Sequence, residues 1–247
     1  MAQSSVGKIR LFNDFTGVPN LITEITDVIP LGDFYAGGEG IEDTTAGVVP
    51  SITAPLSGSV TITGGNTNAD TTFIGTQILF DVTLMGTLVA ETRVQVPDLD
   101  TKEVFFGFTS ILTIDEQLQD ILINASATAF TCVADLVGFY FSNELTASAT
   151  KWHAAHKGGA TTASTTAASQ TLAVGPTAGE WQVLRLEVDN NGDTRWYVDG
   201  VLKKTVKTAA SLTSNMAAVL AFAANTTDHP IGDCDYMLVE AGRDWTV

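Results

Sequence analysis

The chain has 247 residues, with 12 Lys and Arg against 28 Asp and Glu, a formal charge of −16 at pH 7. A nucleic-acid binder is excluded by that balance, since phosphate contacts need a Lys/Arg-rich face. The longest apolar run, around 217–224, is far shorter than the ~20 residues a bilayer core demands, and 45% hydrophobic residues are too many for a disordered chain. The length allows one large all-β domain or two small ones.

Period-two patterning dominates from end to end. Residues 59–63 read as a short strand closed by Gly64 and Gly65. Residues 77–85 and 88–96 are β-rich and meet at Gly86 and Thr87, which predicts a hairpin. In the second run Leu88, Ala90, Thr92 and Val94 share one face of the pleat, and Val89, Glu91, Arg93 and Gln95 the other. Residues 103–109 form a third strand. Thr113 followed by Glu116 has the form of a capping box, so 115–122 reads as a short helix or, equally, a loop or strand edge. Residues 158–171 are uncharged and rich in Thr, Ala and Gly, an excursion within the domain.

The clearest segment runs from 181 to 206. Residues 181–188 alternate, 189–193 carry turn chemistry, 194–198 return, and Asp199-Gly200 makes a second tight turn into 201–206. This predicts a three-stranded meander. Two further strands are expected at 217–223 and 234–240. Cys132 and Cys234 read as reduced, buried thiols, with a single bridge as the alternative. The first ten residues hold no apolar stretch of secretory type, so synthesis in a cytosol is expected.

The sequence carries none of the common catalytic motifs. There is no Gly-x-Ser-x-Gly elbow, no His-Glu-x-x-His and no Walker-type loop. Sandwich glucanases place their carboxylates as Glu-x-Asp-x-x-Glu on one strand; Glu187 and Asp189 match the first two, but Gly192 stands where the third belongs. No catalytic residue, metal or cofactor is expected. His153 and His156 fall on a strand, which puts them on opposite faces of an ordinary surface strand rather than in a metal site. Asp189, Asn191 and Asp193 lack the Gly and Glu spacing of a calcium loop and read as a hairpin turn. Asp233 and Asp235 read the same way. Trp181 and Trp196 lie on the meander and are expected in the core. Trp152 and Trp245 remain as candidate platforms on which a sugar ring could stack.

The stretch 180–204, with Trp181, the alternating strand, Gly192 and the Tyr-Val-Asp-Gly ending at 197–200, resembles a segment of concanavalin A-like, laminin-G-type jelly rolls. Residues 11–15 are similar to the opening strand of such folds and 235–240 to the closing one. The resemblance implies an all-β, two-sheet antiparallel jelly-roll sandwich. It is specific for fold and weak for function.

A narrower resemblance joins 8–15, the Gly-rich 37–43, 85–91 and the C-terminal 235–239 and 243–247. Together these look like structural proteins of tailed bacteriophages. That implies a non-enzymatic virion component, a capsid decoration (cement) protein on the outer head surface, made in the bacterial host cytoplasm. The major capsid protein is the implied partner, neither nucleic acid nor membrane is expected to be one, and a homo-oligomer, a trimer, is expected because closed symmetry reuses one small patch several times. The organisation expected is an N-terminal arm, 1–9, and one sandwich domain, 10–247. Lys8 and Arg10 are the only cations before Arg93, so Lys8, Ile9 and Arg10 are the candidate capsid contacts. The competing reading is a carbohydrate-binding, lectin-like receptor-binding or tail-associated module that takes a surface glycan.

Overall fold

The computed structural model describes residues 7–16, 28–43, 45–51, 58–148, 150–161 and 165–243. The strands are β1 (Lys8–Asn13), β2 (Ile29–Leu31), β3 (Phe34–Gly37), β4 (Gly47–Pro50), β5 (Val60–Thr63), β6 (Thr71–Gly75), β7 (Leu88–Gln95) and β8 (Lys102–Thr109). A one-turn helix, α1 (Leu118–Ile121), precedes β9 (Leu122–Ser126), β10 (Ala129–Cys132), β11 (Leu136–Ser142) and β12 (His153–Lys157). A second short helix, α2 (Ala167–Gln170), leads to β13 (Trp181–Val188), β14 (Thr194–Val198), β15 (Val201–Val206), β16 (Ala217–Ala224) and β17 (Ile231–Gly242).

Two antiparallel sheets face each other. One runs β15-β14-β13-β7-β17-β5-β4, with β1 also paired to β17; the other runs β12-β11-β8-β16-β6-β3-β2. Strand β17 is long enough to pair β5 along its first residues, Ile231 to Cys234, and β1 along its last, Met237 to Gly242, on the same side. The two chain ends that resemble jelly-roll opening and closing strands are therefore neighbours in one sheet.

The core between the sheets follows from the alternation. Leu88, Ala90 and Val94 of β7, Leu184, Leu186 and Val188 of β13 and Trp196 of β14 point inward from one sheet. Val104, Phe106 and Phe108 of β8 and Val137, Phe139 and Phe141 of β11 meet them from the other. Trp196 and Trp152 are both fully buried there. The Trp196 indole donates to the Gly138 carbonyl at 2.8 Å, which satisfies its one polar group inside the core.

A second apolar layer covers the outer face of the seven-stranded sheet. Phe73, Phe105 and Tyr140 on that face pack with Leu118 and Ile121 of α1, Leu122 of β9 and Phe130 of β10. Strands 8, 11 and 16 are consequently buried on both faces and read as nearly continuous apolar runs.

Several expectations are corrected. Residues 77–85 form no strand: Asp81 Oδ1 accepts from the backbone N–H groups of Thr83 and Leu84, at 2.8 and 2.9 Å, and folds the segment into a turn before β7. Trp181 is only half-buried, because its position puts it with Val183, Arg185 and Glu187 on the outer face of β13. It stacks there under the Arg93 guanidinium, 4.9 Å from the ring centroid. His153 and His156 do lie on opposite faces of β12, but both are buried rather than on a surface strand. His153 faces Phe130 in the covering layer and His156 faces Trp196 in the main core. Residues 115–122, open between helix and strand edge, hold the single turn of α1 and the start of β9; Glu116 Oε2 accepts from the Thr113 N–H at 2.8 Å, but α1 begins after Gln117 and is not capped by that pair. The two cysteines are unpaired, as expected, but only Cys234 is buried while Cys132 is half-buried. Burial pushes the Cys132 thiol up to about 11 and the Cys234 thiol up to about 12.

Candidate functional site

At one end of the seven-stranded sheet the covering layer stops short, and a cleft of about 160 Å³ opens between it and the sheet. Glu103 reaches it from the start of β8 and Glu144 from the turn after β11, with Asn124 of β9 opposite. Asn225, just past β16, and Asn68, before β6, close the remaining side. Ile123, Leu118 and Leu122 supply the apolar wall.

Period two places Glu103 here. It shares the outer face of β8 with Phe105, while Val104 and Phe106 fill the main core. The Tyr140 hydroxyl, reaching diagonally from β11, where Tyr140 stands opposite Phe105 and Ser142 opposite Glu103, donates to Glu103 Oε2 at 2.8 Å. Burial, reinforced by the nearby Glu144 carboxylate, pushes the Glu103 carboxyl up to about 7. Burial and the Glu103 carboxylate it is bonded to raise Tyr140 well above the ordinary phenol range, so it stays a donor.

The opposite wall is built from amides. Asn124 Nδ2 donates to Glu144 Oε2 at 2.7 Å and to Ser142 Oγ at 3.4 Å. Asn225 Nδ2 donates to Asn143 Oδ1. Asn225 is only 9% exposed, and its own Oδ1 accepts no hydrogen bond. A buried carbonyl oxygen without a donor is costly, and this one sits in the wall of the cleft.

The residues singled out from sequence lie elsewhere. Trp152 is not a stacking platform: it is fully buried between the sheets, with its indole N–H donated to Gln182 Oε1 at 3.0 Å. Trp245 and residues 1–6 of the arm lie outside the described residues. Lys8 and Ile9 belong to β1, which begins two residues before the expected start at Arg10. Ile9 is half-buried, with its side chain packed against the main core. Arg10 pairs with Glu240 at 3.1 Å, and Lys8 is exposed. Asp189 holds Arg195 through both oxygens, Asp193 caps the Thr208 N–H, and Asp235 pairs with Arg93. These acids are committed to turns and ion pairs. Among the described residues, no group of three or more His, Cys, Asp and Glu side chains is placed to hold a metal ion.

Sequence reasoning missed Glu103, Glu144 and the asparagines around them. One signal was present: a carboxylate on the same face as Phe105 in a strand whose other face is also apolar has no ordinary surface to occupy.

No protein-family model matches the chain, and no curated protein matches it. Solved structures do. A protein of unknown function from Shewanella oneidensis MR-1 aligns with TM-score 0.64 at 12% identity, over 100% of this chain and 92% of that one. The carbohydrate recognition domain of Emp46p aligns with TM-score 0.55 at 10% identity, over 93% and 97%. The cellulose induced protein Cip1 aligns with TM-score 0.54 at 13% identity, over 94% and 96%. At these identities the likeness defines the fold: the chain is a two-sheet antiparallel jelly-roll sandwich of concanavalin A-like type.

Proposed function

We propose that the chain is a non-enzymatic carbohydrate-binding jelly roll whose site is the cleft at Glu103, Asn124, Glu144 and Asn225. The observation that carries this reading is the convergence of two carboxyl groups and several side-chain amides, one with a buried free carbonyl oxygen, on a single small cleft. Sugar recognition uses such sets of planar donors and acceptors, set beside a limited apolar wall. The cleft is smaller than the roughly 300–1,000 Å³ typical of drug-sized ligands, so it suits one ring unit or a chain end. That a carbohydrate recognition domain shares the fold supports the reading. The test is a glycan array followed by NMR titration of the hits. Shifts at Glu103, Asn124 and Asn225 are expected, and no sugar-dependent shift at these residues would refute the assignment. Reducing-sugar release from bound polysaccharide, abolished in Glu103→Gln, would refute the non-enzymatic part.

The virion reading concerns where such a module works. It is supported by the sequence resemblance to tailed-phage structural proteins, whose two end segments are paired as β1 and β17. A capsid-surface protein, assembled as a trimer on the major capsid protein, is the form we favour. Its test is occupancy on purified heads together with the mass of the isolated protein. Absence from heads would remove the capsid assignment, and a monomer that saturates the shell would remove the trimer.

A further inference from the structure

The cleft carries more acceptors than donors, and among the described residues no cation lines it. Its polar lining consists of Asn68, Gln119, Asn124, Asn225, Glu103 and Glu144, without Lys, Arg or His. Glu103 accepts from Tyr140 on Oε2, and Glu144 accepts from Asn124 on Oε2. Asn225 Oδ1, in a residue more than nine-tenths buried, accepts nothing. Two carboxylates and one orphan amide oxygen thus converge from three different elements.

We propose that the ring unit this cleft selects carries a protonated primary amine, making the ligand class a free amino sugar rather than a neutral, N-acetylated or acidic one. This rests on the reading of the cleft as a sugar site. An ammonium brings three donors and no acceptor, which suits a lining of two carboxyl groups and side-chain amide oxygens. A neutral hydroxyl brings one donor and leaves the Glu103–Glu144 repulsion in place. An N-acetyl group removes the charge, and a uronic acid adds a third negative charge to the site. A cation between the two carboxylates stabilises both ionised forms, so binding favours deprotonated Glu103. The groups that bear on that proton are Tyr140 from β11 and Glu144 from the turn after it; β9 contributes the uncharged Asn124.

The test is calorimetric or NMR titration of the full chain with four methyl glycosides, those of glucosamine, N-acetylglucosamine, glucose and glucuronic acid, and with ethanolamine as a simple ammonium. At pH 7.5 the glucosaminide is expected to bind about tenfold or more tighter than the other three sugars, the gain of one charge-assisted contact set. Lowering the pH to 5.5 protonates Glu103 and is expected to weaken the glucosaminide by about tenfold, leaving the glucoside unchanged. Glu103→Gln, nearly isosteric and checked for unchanged circular dichroism, is expected to erase both the preference and the pH effect. Equal affinity for glucosaminide and glucoside would overturn the amine and leave the sugar site standing. No binding of any sugar would overturn both. Ethanolamine binding as tightly as the glucosaminide would overturn the amino sugar in favour of a bare ammonium site.

Discussion

Tyr140 touches two titratable groups whose effects on stability oppose one another. Its hydroxyl holds Glu103, and its backbone oxygen meets His153 Nδ1 at 3.2 Å. Glu103 rises from 4.5 to about 7 in the folded chain, through burial and then Glu144. Between those values the unfolded chain loses a proton that the folded chain keeps, so stability falls as pH rises from about 4.5 to about 7. His153 is pushed by burial from 6.5 down to about 4. Here the unfolded chain gains a proton that the folded chain refuses, so stability falls as pH drops through the same range. Burial lowers His156 too, with the same sign. A shallow maximum between about pH 4.5 and 6.5, followed by a decline toward pH 7, is expected in thermal melts. Glu103→Gln should remove the decline and steepen the rise below pH 6.5; an unchanged profile would mean that the half-buried Glu103 does not hold its proton in the folded chain. The two meander tryptophans differ just as sharply. Trp196→Ala should cost ~3–5 kcal/mol, the range for emptying an aromatic core site. Trp181→Ala should cost about 1 kcal/mol or less, since it loses one partly exposed cation–π contact with Arg93. Urea titrations of both variants measure the difference.

The elements that were legible in sequence are those whose turns carry their own chemistry. The β14–β15 connection is one: Asp199 and Gly200 both adopt positive φ, 51° and 74°, as a type I′ turn requires. A Cβ at Gly200 would meet nothing within 4 Å, so the backbone alone resists substitution there. Gly200→Ala should therefore cost ~1–2 kcal/mol, the left-handed penalty for a residue with a side chain, with a native fold retained. Asp199 also accepts from the Val183 N–H at 2.9 Å, tying the turn to β13. By contrast, residues 77–85 have strand composition yet form none, because Asp81 offers the backbone a local partner that alternation does not reveal. The cleft was equally hidden. Its members come from β8, β9, the turn after β11 and the residue after β16, and only the order of strands in the sheet brings them together. Glu103 alone left a trace, as a charge on an otherwise apolar strand face. Trp152 misled for a related reason: it lies outside the meander, and no alternation marks it as core, yet it packs between the sheets just before β12.

For the whole molecule, the question is whether the covering layer is an ornament on the sandwich or part of one cooperative unit. Strands 8 and 11 answer it by alternating between the two cores. On β8, Phe106 and Phe108 fill the space between the sheets while Phe105 packs under α1 and the β9–β10 hairpin. On β11, Phe139 and Phe141 do the first and Tyr140 the second. Stripping the hairpin would bare Phe73, Phe105 and Tyr140, a contiguous aromatic surface, on a sheet that also carries the buried His153. The layer therefore has no independent unfolding step that leaves the sandwich intact at modest cost. Leu122→Ala, a truncation of a fully buried residue in the covering layer, should lower global stability by ~2–5 kcal/mol, as a core truncation does. Denaturation followed by tryptophan fluorescence in a Trp181→Phe, Trp245→Phe background, where the remaining Trp152 and Trp196 report the inner core, should shift to the same midpoint as far-ultraviolet circular dichroism. Two separated transitions, with that fluorescence unaffected by Leu122→Ala, would make the layer a separate unit and the cleft beneath its edge a movable one.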